Sequence, residues 1–233
     1  MRIHVGGYGL QGLAAIPAIE RFLSPKDKNL EIIANGLAGF YAILFENFGS
    51  EKAREKINSF VKKFESTFWI IDRVQKKEKI DKRKSRKNKI KYCVLWSTSI
   101  AIHKWKEIEE FLGGLNEDTC VKAEVINLEK QTVELYEGSS YNVAKACLAF
   151  PGVFPPFKRK YINTTYLSQI PVSFIENGDI VVLNFRDLSQ IKFESASEIL
   201  LQAMECRMIE FAKRVLESKN VEKIDINQQI TKL

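Results

Sequence analysis

Twice in the N-terminal part of the chain, a short apolar run rich in β-forming residues stops at a glycine turn and gives way to residues with helical spacing. Arg2–Gly6 leads into Gly7-Tyr8-Gly9-Leu10-Gln11-Gly12, and Leu13, Ile16, Ile19, Phe22 and Leu23 follow three or four residues apart. Leu30–Ala34 leads into Asn35-Gly36, and Ala38–Phe48 is apolar and long enough for a buried helix. A strand that turns at glycine directly into a helix is the opening of a crossover unit, because neighbouring parallel strands must be joined by a long connection. Further along, Ser50–Glu65 puts Ile57, Phe60, Val61 and Phe64 on one helical face. Tyr92–Trp96, Val121–Leu128, Thr132–Tyr136 and Ile180–Phe185 read as strands. Lys104–Leu112, Asn142–Ala149 and Ser195–Leu216 read as helices, the last with Ser195 as N-cap and Glu198 completing a capping box. Strands alternating with helices predict an α/β protein, three layers α/β/α around a mostly parallel sheet.

Composition sets the scale. The 233 residues, 45% of them hydrophobic, suffice for one sizeable core, and no linker divides them. One domain over residues 1–218 is expected, followed by a polar tail, 219–233, that should fray. The net charge is +7, but residues 76–91 alone carry ten Lys/Arg against two acids, a local +8 that leaves the remainder close to neutral. That segment has no apolar period and reads as a basic loop insertion. Lys82, Arg83, Lys84, Arg86 and Lys87 form its densest part, a candidate patch for an anionic membrane surface. No RNA- or DNA-binding motif accompanies it, which argues against a nucleic-acid partner. Cys93, Cys120, Cys147 and Cys206 are widely spaced, and only His4 and His103 join them, so neither a disulfide framework nor a metal site is expected. Reduced thiols, glycines that interrupt the apolar N-terminus, and no long apolar run together predict a cytoplasmic chain starting at Met1 without a membrane span. The two histidines read as surface or strand-end residues.

Chemistry concentrates at the glycine turns. Gly7, Gly9 and Gly12 with Tyr8 and Gln11 between them can offer backbone N–H groups to an anion. Their G-x-G-x-x-G spacing also fits a nucleotide-binding module, yet neither Asp27 nor Glu31 is well placed as its ribose-binding acid. Asn35-Gly36-Leu37-Ala38-Gly39 lies where a nucleophile elbow, G-x-S-x-G, would lie, with Leu37 at the serine position. Ala146-Cys147-Leu148-Ala149-Phe150-Pro151-Gly152-Val153-Phe154-Pro155-Pro156 is a helix end running into a rigid apolar loop.

In this order the three segments resemble the patatin-like phospholipase family. Its members carry a glycine-rich oxyanion loop, then G-x-S-x-G, then an A-S-x-A-x-P-x-x-F-P-P run, then D-G-[GA] ahead of a P-V pair. Here that last stretch reads Asn163-Thr164-Thr165 ahead of Pro171-Val172. The resemblance spans roughly residues 1–216 and implies the patatin-like three-layer fold, with a Ser–Asp dyad for hydrolysing lipid acyl esters. The dyad positions hold Leu37 and Asn163, and neither side chain can do the work: leucine has no nucleophile, and an amide takes up no proton at neutral pH. Tyr8, Gln11, Asn35 and Thr164 also depart from the family pattern, and Cys147 stands where it has serine. What the resemblance implies is a binding or regulatory protein without catalysis and without a cofactor, whose partner is a lipid or acyl chain, an anionic membrane or another protein. An active lipid acyl hydrolase with a different nucleophile, and a nucleotide-binding module, are the rival expectations.

Overall fold

The computed structural model describes residues 1–7, 9–24, 29–65, 67, 101–185 and 196–226. Its strands are β1 (Arg2–Val5), β2 (Glu31–Ala34), β3 (Val121–Asn127), β4 (Thr132–Tyr136), β5 (Tyr161–Asn163), β6 (Ile180–Leu183) and β7 (Glu222–Asp225). Its helices are α1 (Ile16–Leu23), α2 (Gly36–Lys63), α3 (Glu109–Leu112), α4 (Ser140–Leu148) and α5 (Ala196–Glu217). The seven strands make one sheet in the order β4-β3-β2-β1-β6-β7, with β5 also paired to β3. β3, β2, β1, β6 and β7 run parallel, and only β4 and β5 oppose β3. The expected three-layer, mostly parallel arrangement is what forms.

Central strands are buried on both faces, so their sequence is almost continuously apolar. β6 shows the division of labour. Ile180 and Val182 join the large core under α2 and α4, while Val181 and Leu183 pack with Ala212 and Leu216 of α5 on the opposite face. On the first face Phe60 and Phe64 lie tilted 4.8 Å apart, and Phe111 and Phe154 complete the aromatic group. Each fully buried aromatic of this kind contributes about 2–3 kcal/mol through the apolar area it removes from water.

The two helices expected over 38–48 and 50–65 are one run, Gly36–Lys63, bent at Gly49, whose left-handed φ of 76° interrupts the helix. Two strands escaped the sequence reading. β5 has three residues, too few to show a period. β7 falls in the stretch expected to fray: its exposed Glu222 and Lys223 hide a strand whose backbone pairs with β6, and Ile224 and Ile226 turn inward. His4, expected at the surface or at a strand end, stands next to the last residue of β1 but is fully buried there, its ring 3.0 Å from the Pro171 carbonyl and 2.9 Å from the Asp179 carboxylate. The Tyr92–Trp96 strand, the 76–91 insertion and the Ser195 cap lie outside the described residues. Among the described residues no helix is long and apolar enough to cross a membrane.

Candidate functional site

At the carboxyl ends of the parallel strands the sheet changes direction of winding: β1 connects onward to β2 on one side and is flanked by β6 on the other. Such a point leaves a crevice where open α/β sheets place their ligands. Three segments singled out in the sequence meet beside it. β2 ends at Ala34, opposite Ala123, and β5 then occupies the same lane alongside β3, with Asn163 opposite Val125. That succession sets Asn163 and Thr164 next to the turn at Asn35 and Gly36, and the Asn35 amide donates to Thr164 Oγ1 at 3.1 Å.

A small cavity of about 20 Å³ lies between them, lined by Gly9, Gly36, Leu37, Cys147, Phe154, Asn163 and Thr165 among others. The space suits a water or two and is far too small for an acyl chain. Gly36 carries the left-handed φ of the strand–turn–helix, 59°, so the strained residue of the turn stands one position before Leu37. A Cβ at Gly36 would meet the Gly7 carbonyl at 3.1 Å and Thr165 Cγ2 at 3.3 Å. Leu37 is only 3% exposed and Ala38 is fully buried. Gly39 lies hard against α4, since a Cβ there would come within 2.5 Å of Cys147 Sγ. Neither the apex nor its successor offers a nucleophile.

Asn163 is fully engaged. Its amide donates to the Cys147 carbonyl at 2.8 Å, and its Oδ1 accepts from Thr165 Oγ1 at 2.5 Å and from the Thr165 N–H at 3.3 Å. The amide donation is one that a carboxylate could not make, so asparagine is the residue this geometry uses. Cys147 is enclosed, and burial pushes its thiol up to about 12, which leaves no thiolate near neutral pH.

The glycine-rich loop closes on itself. Gly7 and Gly12 pack so tightly that a Cβ on Gly7 would fall 2.5 Å from Gly12 N, and Gly12 in turn faces Ala38 N. Gly9 begins a 3₁₀ stretch, Gly9–Ala15, and Gln11 within it holds its side-chain carbonyl without a hydrogen-bond partner among the described residues. Tyr8 and the basic residues Lys82, Arg83, Lys84, Arg86 and Lys87 lie outside the described residues. Glu31, considered as a ribose-binding acid, opens β2 at the far end of the sheet and pairs with Lys122 at 3.4 Å; Asp27 lies outside the described residues. Among the described residues no three His, Cys, Asp or Glu side chains gather to hold a metal ion.

Sequence reasoning missed three polar residues here. Thr165 fixes the Asn163 carbonyl. Asn184, just past β6, is fully buried and donates to the carbonyls of Gly6 and Gln11, tying β6 to the glycine loop. Glu124 is fully buried on β3. One of its oxygens accepts the Ser173 N–H at 2.9 Å, the other has no partner among the described residues, and burial pushes its carboxyl up to about 7. A polar residue at the end of, or within, an otherwise apolar strand was the available signal for Asn184 and Glu124.

No family model matches the chain, and no curated protein matches it.

Proposed function

We propose that this chain is a patatin-like protein that has given up hydrolysis and acts as a binding or regulatory partner. One observation carries the reading: the turn where a lipid acyl hydrolase would hold its serine presents Gly36 and Leu37 to a cavity whose only acid-position residue is an amide locked by three hydrogen bonds. The order of motifs along the chain supports the patatin-like part of the reading, and their convergence on one cavity supports it further. The cavity volume speaks against an acyl chain seated inside it.

Turnover of p-nitrophenyl esters and phospholipids tests the proposal. The purified protein should show none above background and should stay unlabelled by a fluorophosphonate, because loss of the nucleophile alone costs a serine hydrolase about a million-fold. Activity that persists through repeated purification overturns it. Placing the dyad residue types at the motif positions, Leu37→Ser with Asn163→Asp, should still fall well short of ordinary hydrolase rates, because the left-handed apex of the turn is Gly36, one position earlier. Tyr8 and Gln11 remain in the oxyanion loop, and one missing donor there costs roughly a hundred- to a thousand-fold.

A further inference from the structure

Lys158 and Arg159 adopt φ values of 48° and 62°, two consecutive side-chain-bearing residues in the left-handed region. They sit at the tip of a tight hairpin. Phe157 and Tyr161 exchange backbone hydrogen bonds of 2.8 and 2.9 Å, and the Lys160 N–H is donated to the Phe157 carbonyl at 3.1 Å. Two left-handed residues at a hairpin tip form the geometry for which Asn and Gly are strongly favoured, because a Cβ is strained there. This chain spends lysine and arginine on it instead. Backbone strain retained where a neutral, unstrained pair would fit is a mark of selection for something other than the fold.

The surroundings show what that is. Leu128, 46% exposed, donates its N–H to the Lys160 carbonyl at 2.8 Å, so the β3–β4 turn and the hairpin tip form one surface. That surface carries Lys130, Lys158, Arg159 and Lys160 against Glu129 and Glu134. Glu129 pairs with Lys160 and Glu134 with Lys130, whereas Lys158 and Arg159 have no carboxylate partner among the described residues. Behind them Tyr136 and Tyr161 stand 5.4 Å apart, with Lys158 over the Tyr136 ring at 5.1 Å. Unpaired cations at the tip, one exposed leucine beside them and tyrosines just behind are the ingredients of an interface with an anionic bilayer. Cations meet headgroups, the leucine enters the acyl boundary, and amphipathic rings sit at headgroup level.

We infer that the Leu128–Lys160 surface docks on anionic phospholipid membranes. The legs of the hairpin lead back to the cavity, one through Phe154 and the other to Asn163, so the docked surface is the outer end of the arm that builds the site. The inference does not rest on the absence of catalysis. Ester turnover would overturn the function proposed above and leave the docking surface untouched.

Co-sedimentation of the full chain with phosphatidylcholine vesicles, with and without a minority of phosphatidylglycerol, tests it. The protein should bind the anionic vesicles at low salt and release at high salt. Lys158→Asn with Arg159→Gly should weaken that binding about tenfold or more, since each cation contributes about a factor of five at such a surface. The same variant should melt no lower than the parent, because it relieves the turn. Lys158→Gln with Arg159→Gln removes the charge without changing the demand on the backbone and should weaken binding equally. Failure of the parent to bind anionic vesicles at low salt overturns the proposal. Undiminished binding by the charge-free variants also overturns it and moves the contact elsewhere, to residues 76–91 for instance. A gel shift with duplex RNA that is lost in the same variants, without vesicle binding, would make the partner a nucleic acid and overturn the lipid assignment.

Discussion

Glu124 is the residue whose environment conflicts most with its chemistry. It is buried, one of its oxygens has no partner among the described residues, and its carboxyl is pushed up to about 7 from an ordinary 4.5. Between those two values the folded chain holds a proton that the unfolded chain releases, so this residue favours folding below about pH 4.5 and its contribution is lost as the pH rises through 7. The full penalty above pH 7 is about 3 kcal/mol. Glu124→Gln keeps the shape and removes the charge. Urea unfolding should find the variant increasingly more stable than the parent from pH 5 to pH 8. A difference independent of pH would mean that the carboxyl does not titrate in this range. Asn163 stands at the other extreme, since every hydrogen-bonding atom of its side chain has a partner that suits an amide.

Within helix α2, Gly39 and Gly49 do opposite things. Gly39 is required by contact: a Cβ would lie 2.5 Å from Cys147 Sγ and 2.9 Å from Ala34 Cβ, wedging α2 away from both α4 and β2. Gly49 is required by its backbone, for no atom of the described residues lies within 4 Å of where its Cβ would be. Gly39→Ala should therefore cost about 3 kcal/mol or more through overpacking, and Gly49→Ala about 1–3 kcal/mol through a backbone conformation, φ 76° and ψ 173°, essentially confined to glycine. Denaturant midpoints that reverse this order would show that α2 does not pack against α4 as described. The same elements show what the sequence could and could not reveal. β1, β2, β3, β4 and β6 were legible because apolar runs bounded by glycine or polar turns are a local signal. The bend at Gly49 was legible as a break between two helical patterns but not as a continuous bent helix. β5 and β7 were not legible, since a three-residue strand has no period and a polar edge strand owes its existence to a neighbour far away in sequence. At the site, Gly36, Leu37, Cys147 and Asn163 could be selected from motif order. Thr165 serves Asn163 two residues away but had no pattern to mark it, whereas Asn184 and Glu124 acquire their roles only from distant partners: Asn184 is bonded to Gly6 and Gln11 across more than 170 positions.

Across the whole molecule, the strand that reads as a tail is part of the sheet. β7 covers the outer edge of β6, Glu222 N–H bonds the Asp179 carbonyl at 2.9 Å, and Ile226 is buried beyond it. Truncation after Asn220 should remove that ladder and the burial of Ile224 and Ile226, lowering stability by about 3–5 kcal/mol. A melting temperature unchanged by the truncation would restore the reading of these residues as a loose end. The sheet order carries a further consequence, for the chain as it is made. β1 lies in the middle of the sheet, and the strand on its other side, β6, begins at Ile180. A ribosome adding about 5–20 residues per second needs roughly ten to forty seconds to travel from one to the other. Throughout that interval the growing chain carries a central strand with one bare edge, the condition under which nascent chains pair with the wrong partner. An unpaired edge during synthesis is a hazard separate from the stability of the finished molecule.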